Sequence, residues 1–286
     1  MTRIFRLSAV AAVLLVALAA APAAPTTDKV TTEQLLARLS GSIENLKTLR
    51  CTVKAQERLE GNKYQAARST MKIAFQPLKV YVRNQKGIEV LWVTGQNNGD
   101  AWVNPNAFPY VTLNLDPRGA VMRRNQHHSV LNAGFGTIAD LIKGSSLRQD
   151  HAYEHSFRYA GDSVVAGRAC HVLRSDFPQF RYVSYKTTKA EPISRIADRF
   201  GCGEYRIMER NDLSAGETVP AGKTLLVPNS YGRRTIVCVD QKTFLPTVVQ
   251  VNDDKGLFEK FEFSEVVANQ PIPAAEFTKE YKDYKF

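Results

Sequence analysis

Residues 182–228, YVSYKTTKAEPISRIADRFGCGEYRIMERNDLSAGETVPAGKTLLVP, read as a small module set inside a different kind of protein. The stretch opens on a short strand, Tyr182-Val183-Ser184-Tyr185-Lys186, and a polar turn, Thr187-Thr188-Lys189. Ile193, Ile196, Ala197 and Phe200 follow at the spacing that places apolar side chains on one helical face. Gly201 and Gly203 predict the end of that helix, since glycine takes positive φ without a Cβ penalty. A second helical run at residues 204–211 carries Tyr205, Ile207 and Met208. Val219-Pro220-Ala221-Gly222 is a turn signal, and residues 223–228 predict a closing strand.

This strand–helix–helix–strand order resembles the LysM module, whose family binds N-acetylglucosamine-containing glycans such as peptidoglycan and chitin. Ile193-Ser194-Arg195-Ile196-Ala197-Asp198-Arg199-Phe200-Gly201 matches the first-helix pattern. Asn211 stands where the family has an asparagine after its second helix, and Pro220-Ala221-Gly222-Lys223-Thr224-Leu225-Leu226-Val227-Pro228 matches the closing strand. The family's Gly-Asp-Thr before the first helix is replaced by Ala190-Glu191-Pro192. Glu191 keeps a carboxylate near the helix N-terminus, and Pro192 suits a first-turn position. The resemblance implies a glycan site on two loops at one end of the module. Thr188, Lys189, Ala190, Glu191, Pro192 and Ile193 come from the first loop, and Asn211, Asp212, Leu213 and Ser214 from the second. Backbone groups there would hydrogen-bond N-acetyl groups. Ala190 replaces a glycine that permits close backbone approach, which predicts reduced affinity.

The N-terminus sets the expected compartment. Arg3 and Arg6 precede a largely apolar run at residues 7–18, too short for a comfortable membrane span. Ala21-Pro22-Ala23 or Ala17-Leu18-Ala19 supplies a small-residue cleavage signal. Residues 1–24 therefore read as a signal peptide, and the protein as secreted across the inner membrane into the periplasm or cell envelope. No cysteine lies near the cleavage site to carry a lipid anchor. No other stretch approaches eighteen apolar residues, so no transmembrane span is expected in the mature chain. Losing Arg3 and Arg6 lowers the formal charge from +10 to +8. The basic residues are scattered and carry no nucleic-acid motif, so a solvated surface is expected and a nucleic-acid partner is not.

Cys51, Cys170, Cys202 and Cys238 allow three complete pairings in an oxidising compartment. Cys170 and Cys238 lie on the strands that enter and leave the module and are a disulfide candidate facing each other across a ladder. Cys51 with Cys170 remains an alternative.

The rest of the chain reads as antiparallel sheet. Thr31-Thr32-Glu33-Gln34 looks like a capping box, and Leu35, Leu36, Leu39, Ile43 and Leu46 line the helix that follows. From Cys51 the period becomes two: Cys51, Val53 and Ala55 alternate with polar residues, as do Met71, Ile73 and Phe75. Further strand-like runs at 80–83, 88–93, 101–103 and 110–115 are separated by turn signals. A short helix with Thr137 as cap and Gly144 as stop is expected next, then strands near 156–159, 168–173, 235–239, 247–251 and 257–263. Removing residues 182–228 would leave an ordinary hairpin, so the module is expected on a hairpin tip, where added loop length costs closure entropy only logarithmically.

This α+β pattern resembles the LolA/LolB-like fold, a curved antiparallel half-barrel with helices. More closely it resembles an uncharacterised secreted bacterial family of that fold. The closer likeness rests on residues 51–58, Leu115-Asp116-Pro117, His128, Gly167-Arg168-Ala169-Cys170 and residues 254–259. It implies a discontinuous host domain at 31–180 and 230–286 around a LysM module at 182–228. LolA/LolB-like families bind lipid or lipoprotein acyl chains under a helical lid, so an apolar cavity is expected at Val53, Met71, Ile73, Phe75, Trp92, Phe261 and Phe263. Two functions follow. One is an envelope protein binding an apolar ligand in the host and peptidoglycan on the module. The other is a non-catalytic wall protein that docks partners without lipid.

Enzymatic signatures are missing. There is no zinc-endopeptidase histidine pattern and no Ser-x-x-Lys or Gly-x-Ser-x-Gly motif. His151 and His155 would be about 13 Å apart on a strand, and His127-His128 reads as a turn feature without a carboxylate cluster. No catalytic residue, cofactor or metal site is expected.

Overall fold

A computed structural model describes residues 30–147 and 157–286, so the signal peptide expected at residues 1–24 and the His151–His155 pair lie outside the described residues. Helix α1 (Thr32–Glu44) starts at the expected capping box. The Gln34 amide donates to Thr31 Oγ1 at 3.2 Å, and the Thr31 amide donates to Gln34 Oε1 at 3.0 Å. Leu35, Leu39 and Ile43 bury the face that the helical period marked.

The chain then runs through β1 (Thr48–Leu59), β2 (Lys63–Phe75), β3 (Leu78–Asn84), β4 (Glu89–Val93), β5 (Ala101–Asn104) and β6 (Leu113–Leu115). Helices α2 (Ala120–Arg123) and α3 (Gly136–Leu147) precede β7 (Arg158–Val165) and β8 (Arg168–Asp176). Within residues 182–228 come β9 (Tyr182–Lys186), β10 (Glu191–Pro192), α4 (Ile193–Phe200), α5 (Glu204–Asn211), β11 (Thr218–Val219) and β12 (Thr224–Pro228). Strands β13 (Arg234–Asp240), β14 (Pro246–Asp253) and β15 (Gly256–Ala268) complete the sheet.

Among the described residues, eleven strands form one open antiparallel sheet in the order β6-β5-β4-β3-β2-β1-β15-β14-β13-β8-β7. The β1–β15 ladder closes the long sequence separation, and β8 pairs with β13 on either side of the insertion. Register fixes the faces, because directly paired residues share one. Val53 pairs with Phe263, Cys51 with Met71, Met71 with Val82, Val82 with Val90, and Val80 with Trp92. All seven expected cavity residues therefore lie on one face. The opposite face buries Tyr81, Leu91 and Val93 under Phe277, with Ile272, Tyr284 and Phe286 packed against them. This C-terminal cover was not foreseen, because its few apolar residues follow no repeat.

Two local expectations are corrected. Helix α3 runs through Gly144 to Leu147 and begins at Gly136, so Thr137 is inside it and is not its cap. A single glycine weakens a helix by only about 1 kcal/mol, which packing can offset. The strand expected over residues 110–115 is confined to β6, and Tyr110 sits at φ 59° just after Pro109.

In the inserted segment β9 pairs with β12 and β10 with β11. Gly201 terminates α4 in the left-handed region at φ 57°, while Asp212 does the same for α5 at φ 52°. Ile193, Ile196, Ile207, Val219, Leu225 and Val227 form the buried interior.

Candidate functional site

The two loops expected to bind glycan are tied together by the β10–β11 ladder. Glu191 faces Val219 and Pro192 faces Thr218, and the Ile193 amide reaches the Glu217 carbonyl at 3.4 Å. Thr188, Lys189, Ala190, Asp212 and Ser214 are exposed, Pro192, Asn211 and Leu213 are half-buried, and Glu191 and Ile193 are buried. The Glu191 carboxylate accepts from the Tyr185 hydroxyl at 2.5 Å and pairs with Arg199 at 2.6 Å, and these partners hold its pKa below the ordinary carboxylate value. Asn211 is also committed inward. Its Nδ2 donates to the Ile207 and Leu226 carbonyls at 2.7 and 2.9 Å, and its Oδ1 accepts from the Leu226 amide at 2.8 Å. Asn211 thus ties α5 to β12, which leaves side-chain recognition to the exposed members. Glu217 and Thr218, outside the expected set, join the same loop pair. The backbone here also approaches the host: a Cβ on Gly216 would lie 3.5 Å from the Arg118 carbonyl.

Helix α5 docks on the end of the sheet through polar groups. The Glu60 amide donates to the Tyr205 hydroxyl at 3.2 Å, and Arg123 pairs with Glu204 at 3.0 Å. Arg206 is fully buried, with its guanidinium 3.6 Å from the Phe258 ring centre and 3.8 Å from Asp253. Among the described residues its guanidinium nitrogens have no hydrogen-bond partner. Asp253 also receives a two-point contact from buried Arg58, whose Nη1 lies 2.8 Å from Oδ1. Phe177 and Phe180 are buried, and Arg206 lies over both Phe180 and Tyr231. The short aromatic flanks of the module therefore pack around Arg206.

Beside this seam lies a cluster that the sequence reading missed. His127, expected on a turn without carboxylates, is buried between Glu57 and Glu259. Its Nδ1 is 2.9 Å from Glu259 Oε2, and its Nε2 is 2.9 Å from the Arg58 carbonyl. His128 Nε2 is 3.0 Å from the same Glu259 oxygen, while the Tyr231 hydroxyl donates to Glu259 Oε1 at 2.6 Å. Burial alone would raise the Glu259 pKa, but the two histidines hold it well below the ordinary value. Glu57 stays raised because burial outweighs the same histidines. Burial would lower His128, and the Glu259 carboxylate raises it instead. The one available signal was parity, since Glu57 continues the Val53–Ala55 face of β1 and Glu259 the Phe261–Phe263 face of β15.

On the apolar face Val53 and Ile73 are buried, whereas Met71, Phe75, Trp92, Phe261 and Phe263 remain half-buried. Phe135 meets Phe263 edge-on at 4.8 Å, and His128 meets Phe261 at 5.5 Å, so the 128–135 segment lies over this face. Two surface clefts of about 480 and 470 Å³ lie elsewhere, and neither is lined by these seven residues. Cys51, Cys170 and Cys238 are free thiols. Cys170 and Cys238 share one buried cluster but do not face each other directly, because Cys238 pairs with Val172 and Cys170 with Asp240. The two-residue offset makes the contact diagonal.

A family described as protein of unknown function, DUF1571, matches residues 46–191, half of the chain. The chain belongs to the DUF1571 family. A LysM domain matches residues 185–228 of this DUF1571 protein, over the βααβ unit described above. No curated protein matches it. Among solved structures it is similar to MucB in the Pseudomonas aeruginosa MucA/MucB complex, at 13% identity and TM-score 0.39, over 86% of this chain and 60% of that one. It is also similar to the Mycobacterium tuberculosis lipoprotein LppX, at 12% identity and TM-score 0.40, over 84% and 98%. A LolA superfamily protein from Nitrosomonas europaea gives 11% identity and TM-score 0.30, over 88% and 99%. The DUF1571 chain spans about three fifths of the MucB chain. Among the described residues no helix is long and apolar enough to cross a membrane.

Proposed function

We propose that this protein is an exported, non-catalytic component of the cell envelope that holds wall glycan through its LysM domain. The supporting observation is the ladder at Glu191–Val219 and Pro192–Thr218, which sets the exposed groups of residues 188–190 beside those of 212–218. N-acetylglucosamine would lie along these loops, with backbone groups pairing its amide. In this reading residues 182–228 are the binding module, carried between host segments 31–180 and 230–286. The test is co-sedimentation of the full exported chain with purified peptidoglycan. Deleting residues 182–228 abolishes retention if the reading is right, and unchanged retention rejects it.

A second reading concerns the host. The half-buried Met71, Phe75, Trp92, Phe261 and Phe263 favour an acyl chain of a lipid or lipoprotein along that face, since apolar pockets with few polar groups are the usual sites for such ligands. Displacement of a fluorescent fatty acid, followed through Trp92 emission, tests it. No displacement leaves the host as a docking platform for protein partners in the wall.

A further inference from the structure

The β1–β15 register sets Glu57 directly opposite Glu259, and both carboxylates are buried. Like charges directly opposed across a ladder are destabilising, and burial enlarges the penalty unless a cation lies between them. His127 reaches into the same space with a constrained ring. The Arg58 carbonyl can only accept, so Nε2 carries the hydrogen at 2.9 Å. Nδ1 faces Glu259 Oε2 at 2.9 Å and Glu57 Oε1 at 3.9 Å, so in the ion-free protein it donates to Glu259, and a bound cation would displace that hydrogen and take the Nδ1 lone pair. Three groups thus converge on one point.

We propose that Glu57, His127 and Glu259 bind one first-row divalent cation of the zinc–manganese class, with His128 Nε2 beside it at 3.0 Å from Glu259 Oε2. The three ligand atoms of Glu57, His127 and Glu259 lie within 4.8 Å of one another. An ion at about 2.1 Å from each ligand spaces them about 3.0–3.4 Å apart, so modest side-chain shifts complete the site. Imidazole and carboxylate together suit these ions, and two carboxylates neutralise the double charge. The supporting shell is also in place: Nε2–H of His127 is held by a carbonyl, Glu259 by the Tyr231 hydroxyl, and Glu57 by the His127 amide at 3.1 Å. Arg58 and Arg123 are matched by Asp253 and Glu204, so they do not consume these carboxylates. The His128 side chain is 26% exposed and offers the route by which an ion enters. Because the His127 ring also lies 4.3 Å from the tilted ring of Tyr205 in α5, the ion would brace the seam between sheet and module.

The test uses the full exported chain, stripped with a chelator and titrated with Zn²⁺, Mn²⁺ and Co²⁺. About one equivalent should bind, Co²⁺ should give visible d–d absorption, and the His127 Nδ1 resonance should move while Nε2 stays protonated. Glu57→Gln and Glu259→Gln should each weaken binding at least about tenfold, whereas His171→Ala, outside the cluster, should not. The histidine-ring spectrum of the unsubstituted protein decides the matter even if both variants unfold. Absence of binding at micromolar ion, binding retained in both glutamine variants, or an unmoved His127 Nδ1 overturns the proposal.

Discussion

Asn211 shows how a recognisable motif residue can do its work inside the fold. Its amide bonds three main-chain groups, the Ile207 carbonyl of α5 and the carbonyl and amide of Leu226 in β12. Losing these bonds costs about 1–3 kcal/mol, so Asn211→Ala should lower the free energy of unfolding by about that much while leaving the loop surface in place. A drop in glycan binding without any loss of stability would show that the side chain contacts glycan instead. Asp176 offers a pH test. Burial alone would raise its carboxyl, but Arg174 and Arg234 hold it at about 2, below the ordinary 3.8. A depressed folded pKa means that the stabilisation is present above about pH 4 and disappears as pH falls towards 2. The Tm difference between the natural protein and Asp176→Asn should therefore shrink across that window. A constant difference would exclude the linkage. The arginine partners are largely exposed, so the effect should be small and salt-sensitive.

At the scale of elements, the seam between α5 and the sheet decides whether the module is fixed or tethered. Phe177 and Phe180 form a buried cluster with Tyr182, immediately where the chain leaves β8. Phe180 also covers the Arg206 guanidinium, which sits 5.6 Å from its ring centre. Phe180→Ala should cost about 3–5 kcal/mol by opening a cavity. Nuclear relaxation should then show residues 182–228 tumbling faster than the sheet, whereas in the natural protein the two should share one correlation time. Equal tumbling in the variant would place the seam's strength in the Arg123–Glu204 and Tyr205–Glu60 contacts instead.

Across the whole molecule, the insertion exploits sheet topology. Strands β8 and β13 are hydrogen-bonded neighbours from Cys170–Asp240 to Asp176–Arg234, so the host ladder does not depend on what its tip carries. A chain lacking residues 182–228, rejoined by a short turn, should keep its β-sheet circular dichroism and a cooperative transition. Its Tm should fall, because Phe258 and Asp253 lose Arg206. Loss of the cooperative transition would mean that host and module fold only together.

Much of this organisation was legible from local pattern alone. The capping box at Thr31, the period-two runs of β1 and β2, and the helix stop at Gly201 all follow from interactions within a few residues, which is why periodicity and turn chemistry predicted them. The same holds for the βααβ order of the module. The Glu57–His127–Glu259 convergence was not legible, because His127 lies 70 residues from Glu57 and 132 from Glu259. No local rule sets which strand pairs with which, and only the β1–β15 register brings these groups together. The C-terminal cover and the diagonal placement of Cys170 and Cys238 were hidden for the same reason. Side-chain alternation assigns a residue to a face, but only tertiary pairing decides what stands opposite it.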